Sequence, residues 1–398
     1  MNLIEKFKFD EQKVINAISE ECKKKNIDVF LVGGVVRDIL INRDCHDIDI
    51  CIEGNPKDII PLLGDVKEYI YYDKFQTSTI LFNNYVKIDL ITCRKEVYNT
   101  NGSLPEITPA TINEDLYRRD FTINAIAYDI LKGKLIDPFD GINHIENKII
   151  KSVHSESYLE DPTRIFRAFK YANRYGFSIY DKESIKNAIS QKALDSISND
   201  RIIREITLLC QEECWINNIV SCEEYGIFKI QHSILSAENS MCNYETLNDR
   251  LINLFVSIID ENFREIFCNN SILHKEQRSA FKNYSKLIDV TKRKLEKSMD
   301  NYDLYINLNK LSINEIKLLS YNKKLFYKLY NYIIKMKNTA LNVKGEHISE
   351  LGISNLRLYS SILNYLLRLK LNTGIIDEKN YLTNNLGEIL NVIEYKDR

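Results

Sequence analysis

One stretch constrains the rest of this chain: residues 31–52, LVGGVVRDILINRDCHDIDICI. An apolar run ends in Gly33-Gly34, a short helical pattern carries Arg37 and Asp38, and a second strand pattern carries Asp47 and Asp49. A glycine pair at the start of a helix exposes backbone N–H groups and suits phosphate. Residues two apart on a strand share a face. Asp47, Asp49 and Cys51 therefore fall on one side, and Ile48, Ile50 and Ile52 on the other. Neighbouring carboxylates repel each other unless a cation lies between them, so the pattern suits divalent metal and phosphoryl chemistry.

The 398 residues allow about two to four compact units. A net charge of −2 gives no global signal for nucleic acid, so any RNA contact must come from local patches. The nine cysteines form no C-x-x-C, and Cys210 and Cys214, though on one helix face, lack partners at zinc spacing. They read as reduced, mostly buried thiols. The opening MNLIEKFKFDEQKV lacks a continuous apolar core, and no other stretch matches a membrane span. A cytoplasmic protein with no membrane association is expected.

In order, an amphipathic helix is expected over 10–25, with Val14, Ile15 and Ile18 on one side. Strand candidates follow at 68–72, 78–82 and 85–91, the last two joined by Asn83-Asn84, a hairpin signal. Val86, Ile88 and Leu90 face one way and Lys87 and Asp89 the other, which makes Asp89 a candidate third carboxylate. The polar stretch 92–113, broken by Gly102, Pro105 and Pro109, reads as a long functional loop. Residues 115–130, DLYRRDFTINAIAYDI, read as an apolar helix after Asp120, and 135–150 as strand, proline turn and short helix. Beyond 150, helical periodicity takes over, with helices expected at 162–175, 182–193 and 199–211 and in later segments.

Two further motifs carry chemistry. Arg118 and Arg119 can grip phosphate bidentately. Asp120 and Asn124, four apart, can share a helix face and hydrogen-bond a ribose hydroxyl. In EDPTRIFR, 160–167, Asp161 and Arg164 stand three apart and can present an acceptor and a donor fork together. Cytosine and adenine each pair an amino donor with a ring-nitrogen acceptor; guanine and uracil offer the reverse order. The wrong base would leave buried polar groups unpaired, at about 1–3 kcal/mol each. Arg164, Arg167, Lys170 and Arg174 form a slanting basic stripe on this helix.

The runs LVGGVVRDIL…HDIDI, DLYRRDFTINAIAYD, LIDPFDG and EDPTRIFRAFKYANRYGF together resemble the class II tRNA nucleotidyltransferases (CCA-adding enzymes) and bacterial poly(A) polymerases of the DNA polymerase β superfamily. NDRIIREI, with Arg201 and Glu205, resembles a fifth motif of that family. The resemblance implies an α+β fold: a small mixed α/β nucleotidyltransferase head with a polymerase β-like palm, then an elongated all-α neck, body and tail. The expected boundaries are 1–148 for the head, 149–215 for the neck, 216–310 for the body and 311–398 for a tRNA-binding tail. It implies addition of C, C and A to the tRNA 3′ end from CTP and ATP, with two Mg2+ ions and release of pyrophosphate. Asp47 and Asp49 match the metal carboxylates, and Asp89 joins them as a catalytic candidate. Gly33, Gly34, Arg37, Arg118, Arg119, Asp120, Asn124, Asp161, Arg164 and Arg167 fall at nucleotide-binding positions. Lys170 stands where many relatives carry arginine.

The family also includes enzymes that add only CC, only A, or poly(A). In the family a loop between the first two motifs helps the switch to ATP; 92–113 has the length, and Arg94 and Glu96 would be its basic and acidic pair. A non-catalytic RNA-binding protein is the rival of another class. Candidate RNA patches are Lys292, Arg293 and Lys294 with Lys286 and Lys297, and Lys323, Lys324, Lys328, Lys335 and Lys337 interleaved with Tyr327, Tyr330 and Tyr332. Oligomeric state is not legible.

Overall fold

The computed structural model describes residues 2–44, 47–235, 241–242, 245–298 and 300–396. Cys45 and His46 of the opening stretch lie outside the described residues. The chain forms two compact units, Met1–Phe228 and Lys229–Arg398.

The first unit begins with α1 (Phe9–Lys24) and β1 (Val29–Val32), then α2 (Gly34–Leu40) and β2 (Asp49–Ile52). A short α3 (Pro56–Ile59) leads to β3 (Val66–Tyr72), β4 (Thr77–Phe82) and β5 (Lys87–Thr92). A two-stranded ribbon, β6 (Arg94–Val97) and β7 (Glu106–Pro109), precedes α4 (Ile112–Tyr117), β8 (Ala127–Asp129) and β9 (Lys134–Ile136). Next come α5 (Gly141–Glu146), β10 (Ile149–Ile150), α6 (Ser157–Glu160), α7 (Thr163–Tyr175) and β11 (Ser178–Ile179). Then follow α8 (Lys182–Ser190), α9 (Asn199–Gln211) and α10 (Trp215–Glu224).

Seven strands make one mixed sheet in the order β3-β4-β5-β2-β1-β8-β9. Only the β2–β5 pair within it is parallel, aligning Asp49 with Asp89. Alternation sets the faces: β4 and β5 bury Ser78, Ile80, Phe82, Ile88 and Leu90 on one side, while Thr79 and Asp89 stand half-buried on the other. A core of Phe30, Val32, Cys51, Cys93, Leu116, Ala125 and Ala127 lies beside the site.

The structure revises three sequence expectations. Residues 121–130 are not helical: a 3-10 turn at Thr122–Asn124 runs into β8, which pairs with β1 and β9. Phe121, Ile123, Ala125, Ile126 and Ala127 are all fully buried. A segment enclosed on every side has no polar face to set a period, and sheet pairing decides its form. Secondly, 92–113 is an ordered element rather than an irregular loop, because β6 and β7 pair from Arg94↔Pro109 to Val97↔Glu106. Thirdly, β2 starts at Asp49, so Asp47 precedes the strand. The β4–β5 hairpin does form, but Tyr85 takes the left-handed position at φ +64° while Asn84 accepts from the Val86 N–H.

α7 carries the neck motif. It starts after Pro162 and stops where Gly176 adopts φ +67°, the left-handed conformation that ends many helices. One side packs Ile165, Phe166, Phe169 and Ala172 into the core. α9 is capped by the Ser198 side chain, which accepts from the Arg201 N–H.

In the second unit every described element is a helix. Phe255 stacks on Phe281 at 4.1 Å with Phe267 edge-on, and Val343, Ile348, Ile362, Leu366, Leu382 and Ile389 form a further core. Among the described residues no helix is long and apolar enough to cross a membrane. All eight described cysteines are free thiols, six of them buried.

Candidate active site

A cavity of about 510 Å³ opens in the first unit, and Gly33, Gly34, Arg37, Asp47, Asp49, Arg118, Arg119, Asp120, Asn124, Asp161, Arg164 and Arg167 all line it. Of the site residues expected from sequence, only Asp89 is not part of that lining. It stands one strand over, paired with Asp49, its carboxylate accepting the Thr79 hydroxyl at 2.6 Å.

The first glycine of the pair is required sterically. Gly33 adopts φ +73°, and a Cβ there would come within 2.7 Å of Arg119 Nη1 and 3.8 Å of Asp49 Oδ2. The glycine thus lets the α2 entry, a guanidinium and a carboxylate converge. Burial pushes the Asp49 carboxyl up to about 6; Arg119 pulls it down, while Asp89 and Asp47 raise it. Asp47 is exposed at the mouth. Two hard carboxylates that disfavour each other's charge are a fitting donor set for magnesium, which takes one or two carboxylates and completes its shell with water and substrate phosphates.

The arginines are held by partners. Arg37 is 4% exposed. It donates to Asn124 Oδ1 at 2.5 Å and Asp38 Oδ1 at 2.9 Å, between the rings of Tyr171 and Tyr175 at 5.2 and 5.0 Å. Arg118 and Arg119 converge on Asp115, at 2.7 and 2.8 Å. Burial would raise the Asp115 carboxyl, but the two guanidiniums hold it below its usual range. Arg118 also meets Glu96 at 3.1 Å, and Glu96 pairs with Arg94 at 3.0 Å.

Asp120 accepts from Asn124 at 2.9 Å and pairs with Arg167 at 2.6 Å. Burial opposes its ionisation, yet Arg167, Asn124 and Arg164 hold the carboxyl at about 2. Sequence spacing brought Asp120 and Asn124 together, though through a 3-10 turn rather than an α-helix.

Asp161 accepts from Thr163 Oγ1 at 2.6 Å and Arg201 Nη2 at 2.8 Å, both on Oδ1. Arg164 donates to neutral acceptors, Ser157 Oγ at 2.6 Å and the Arg118 carbonyl at 2.8 Å. Two members of the basic stripe have other surroundings than a solvated face. Lys170 is buried, 5.2 Å from the Tyr171 ring, and Arg174 is paired with Glu212.

Sequence reading missed Asp115, Tyr98, Tyr171 and Tyr175. Asp115 had a signal, since it stands three and four residues before the two arginines, the helical spacing for ion pairs. The tyrosines had none beyond lying on α7 or in the ribbon.

The Poly A polymerase head domain family matches residues 29–151. The chain is similar to the A-adding tRNA nucleotidyltransferase of Geobacter sulfurreducens, 28% identical over 386 residues, covering 87% of this chain and 43% of that protein. To the enzyme so named from Halalkalibacterium halodurans it is 26% identical, covering 89% and 87%. A CCA-adding enzyme of Lactococcus lactis is 32% identical over 53% of this chain and 54% of its own. The chain thus spans less than half of the Geobacter relative. Among solved structures, an apo CCA-adding enzyme superposes with a TM-score of 0.78 at 24% identity, covering 98% of this chain and 97% of that one. A CCA-adding enzyme with ATP superposes at 0.76 and 26%, covering 97% of each. The head motif, the seven-stranded sheet with its helical continuation, and these likenesses agree: residues 29–151 match the poly(A) polymerase head domain, and the chain as a whole is similar to A-adding and CCA-adding tRNA nucleotidyltransferases.

Proposed function

We propose that this protein is a template-independent RNA nucleotidyltransferase that completes the CCA end of tRNA from CTP and ATP, releasing pyrophosphate. The supporting observation is one cavity that joins Asp47 and Asp49 to Asp161 and Arg164 through a lining of arginines. In this reading Asp47 and Asp49 hold two magnesium ions, which when bound activate the attacking hydroxyl and stabilise the leaving pyrophosphate. Arg37, Arg118, Arg119 and Arg167 orient the triphosphate, and the Gly33 turn keeps Arg119 beside Asp49. Asp120 and Asn124 select a ribose, and Asp161 with Arg164 reads the base. Residues 1–148 act as head, 149–215 as neck, 216–310 as body and 311–398 as tRNA-binding tail, in the cytoplasm.

A second reading has its own support. The A-adding relatives match 87% and 89% of this chain, and the Lactococcus CCA-adding enzyme 53%. A-only addition is therefore the alternative. Transcripts lacking CCA, CA or A, incubated with CTP, ATP or both, separate the two by product length. Full repair of the shortest transcript is the expected outcome. Extension of only the −A transcript, by ATP alone, would replace CCA addition with A addition. No incorporation, or none that is lost in Asp47→Ala and Asp49→Ala proteins that remain folded, would reject both.

A further inference from the structure

The carboxylate face of the sheet continues beyond the cavity. Register partners on neighbouring strands share a face. Asp49, Asp89, Thr79 and Ile70 therefore form one row across β2, β5, β4 and β3, and the Thr79–Asp89 hydrogen bond fixes its middle. The adjoining row brings Ile91, Thr77 and Tyr72 together. The other face is packed on β4 and β5 and opens only on β3, where Tyr69 is 52% exposed; on this face exposure rises toward the edge, to 58% at Ile70 and 47% at Tyr72. Lys87, two residues before Asp89 and on its face, is exposed.

Large apolar side chains on an open edge strand are a liability unless something uses them. Their position relative to the cavity gives a use. Asp47 and Asp49 border the cavity, whereas no residue of β3, β4 or β5 lines it. Displacement at phosphorus is in line, with the hydroxyl entering opposite the departing pyrophosphate. With the triphosphate among the arginines, the hydroxyl arrives from the β5 side.

Resting on the activity read above, we propose that the row Asp49–Asp89–Thr79–Ile70, with Tyr72 beside it, is the track for the unpaired 3′ end of the acceptor RNA. Three strand spacings make it about 14 Å long, a length for a few single-stranded nucleotides. The terminal ribose lies at Asp89, the faces of the preceding bases rest on Tyr72 and Ile70, and Lys87, on the other side of Asp89 from the Tyr72 row, meets a phosphate next to the terminal ribose. Continuity with the carboxylates and the exposed lysine favour RNA over a protein partner.

The test uses the full chain, a tRNA lacking its terminal A, and ATP. Tyr72→Ala and Ile70→Ser should each raise the KM for tRNA about tenfold with the KM for ATP unchanged, and Tyr72→Phe should keep the wild-type value. A 4-thiouridine placed next to the terminal nucleotide should cross-link to the β3 peptide. A tRNA KM that stays within about twofold, with cross-links elsewhere, overturns the track while leaving the activity standing. If the wild-type chain incorporates nothing, the activity reading fails, and the cross-link, which needs only binding, still decides the track. Variants that alter self-association in sedimentation but not the tRNA KM would assign the face to a second copy and overturn the proposal.

Discussion

Asp115 is the residue on which the site's electrostatics turn. It is fully buried and receives Arg118, Arg119 and the Arg94 N–H. Asp115→Asn leaves Arg119 without its paired anion and Arg118 with Glu96 alone in a poorly hydrated place, and breaking a buried pair in this way costs about 3–5 kcal/mol. A lowered Tm together with at least a tenfold loss of incorporation is expected; a variant as stable and active as the wild type would contradict this role. Asp120 makes a different prediction, because its carboxyl is held at about 2 by Arg167, Asn124 and Arg164 against burial. A folded-state value below the unfolded one adds stability that is complete above about pH 4 and fades as pH falls toward 2. The loss from this group is about 2 kcal/mol. Denaturant melts across that window should show the Asp120→Asn protein losing less stability than the wild type.

Among the elements, the β6–β7 ribbon matters most, since its tip is fastened to helices of the same unit. The Gly102 N–H donates to the Glu160 carbonyl at 3.0 Å, and the Gly102 carbonyl accepts from Arg201, which also holds Asp161. Gly102 adopts φ +74°, and a Cβ would meet Ser196 Oγ at 2.1 Å and the Ser196 carbonyl at 2.9 Å. Gly102→Ala therefore lifts the tip, at about 1–3 kcal/mol of strain. The ratio of ATP to CTP incorporation should shift, with the thermal midpoint lower by a few degrees; an unchanged ratio would separate the ribbon from base choice. The ribbon also marks where sequence was readable. The site residues on the first three motifs entered one cavity, whereas Asp89 and the fifth-motif Arg201 and Glu205 are not among its lining, and the helices after 160 followed their period. The ribbon was hidden because Pro105, Pro109 and polar residues read as breakers, although short exposed edge strands tolerate them. β8 was hidden by the opposite condition, complete burial, which erases periodicity. Asp115 was hidden because ion pairing across four residues looks the same on a solvated helix.

At the scale of the whole molecule, a net charge of −2 leaves any RNA binding to local surfaces. The structure narrows one of the patches expected from sequence. Tyr332 is buried and Lys328 donates to the Leu295 carbonyl, so neither is a free contact. Tyr327 and Tyr330 are 78% and 50% exposed, with Phe326 stacked on Tyr330. A Lys323→Ala, Lys324→Ala, Tyr327→Ala variant should bind tRNA more weakly, with the slope of log affinity against log salt shallower by about two; equal slopes would remove this patch from the interface. The cavity has a consequence for turnover. Arg37, Arg118, Arg119, Arg167 and Arg174 each already hold a carboxylate. Under the proposed activity, an incoming triphosphate would compete with those carboxylates for the guanidiniums, and the same side chains would be at hand to displace pyrophosphate afterwards. Such an exchange moderates affinity for any phosphate and favours rapid release over tight capture.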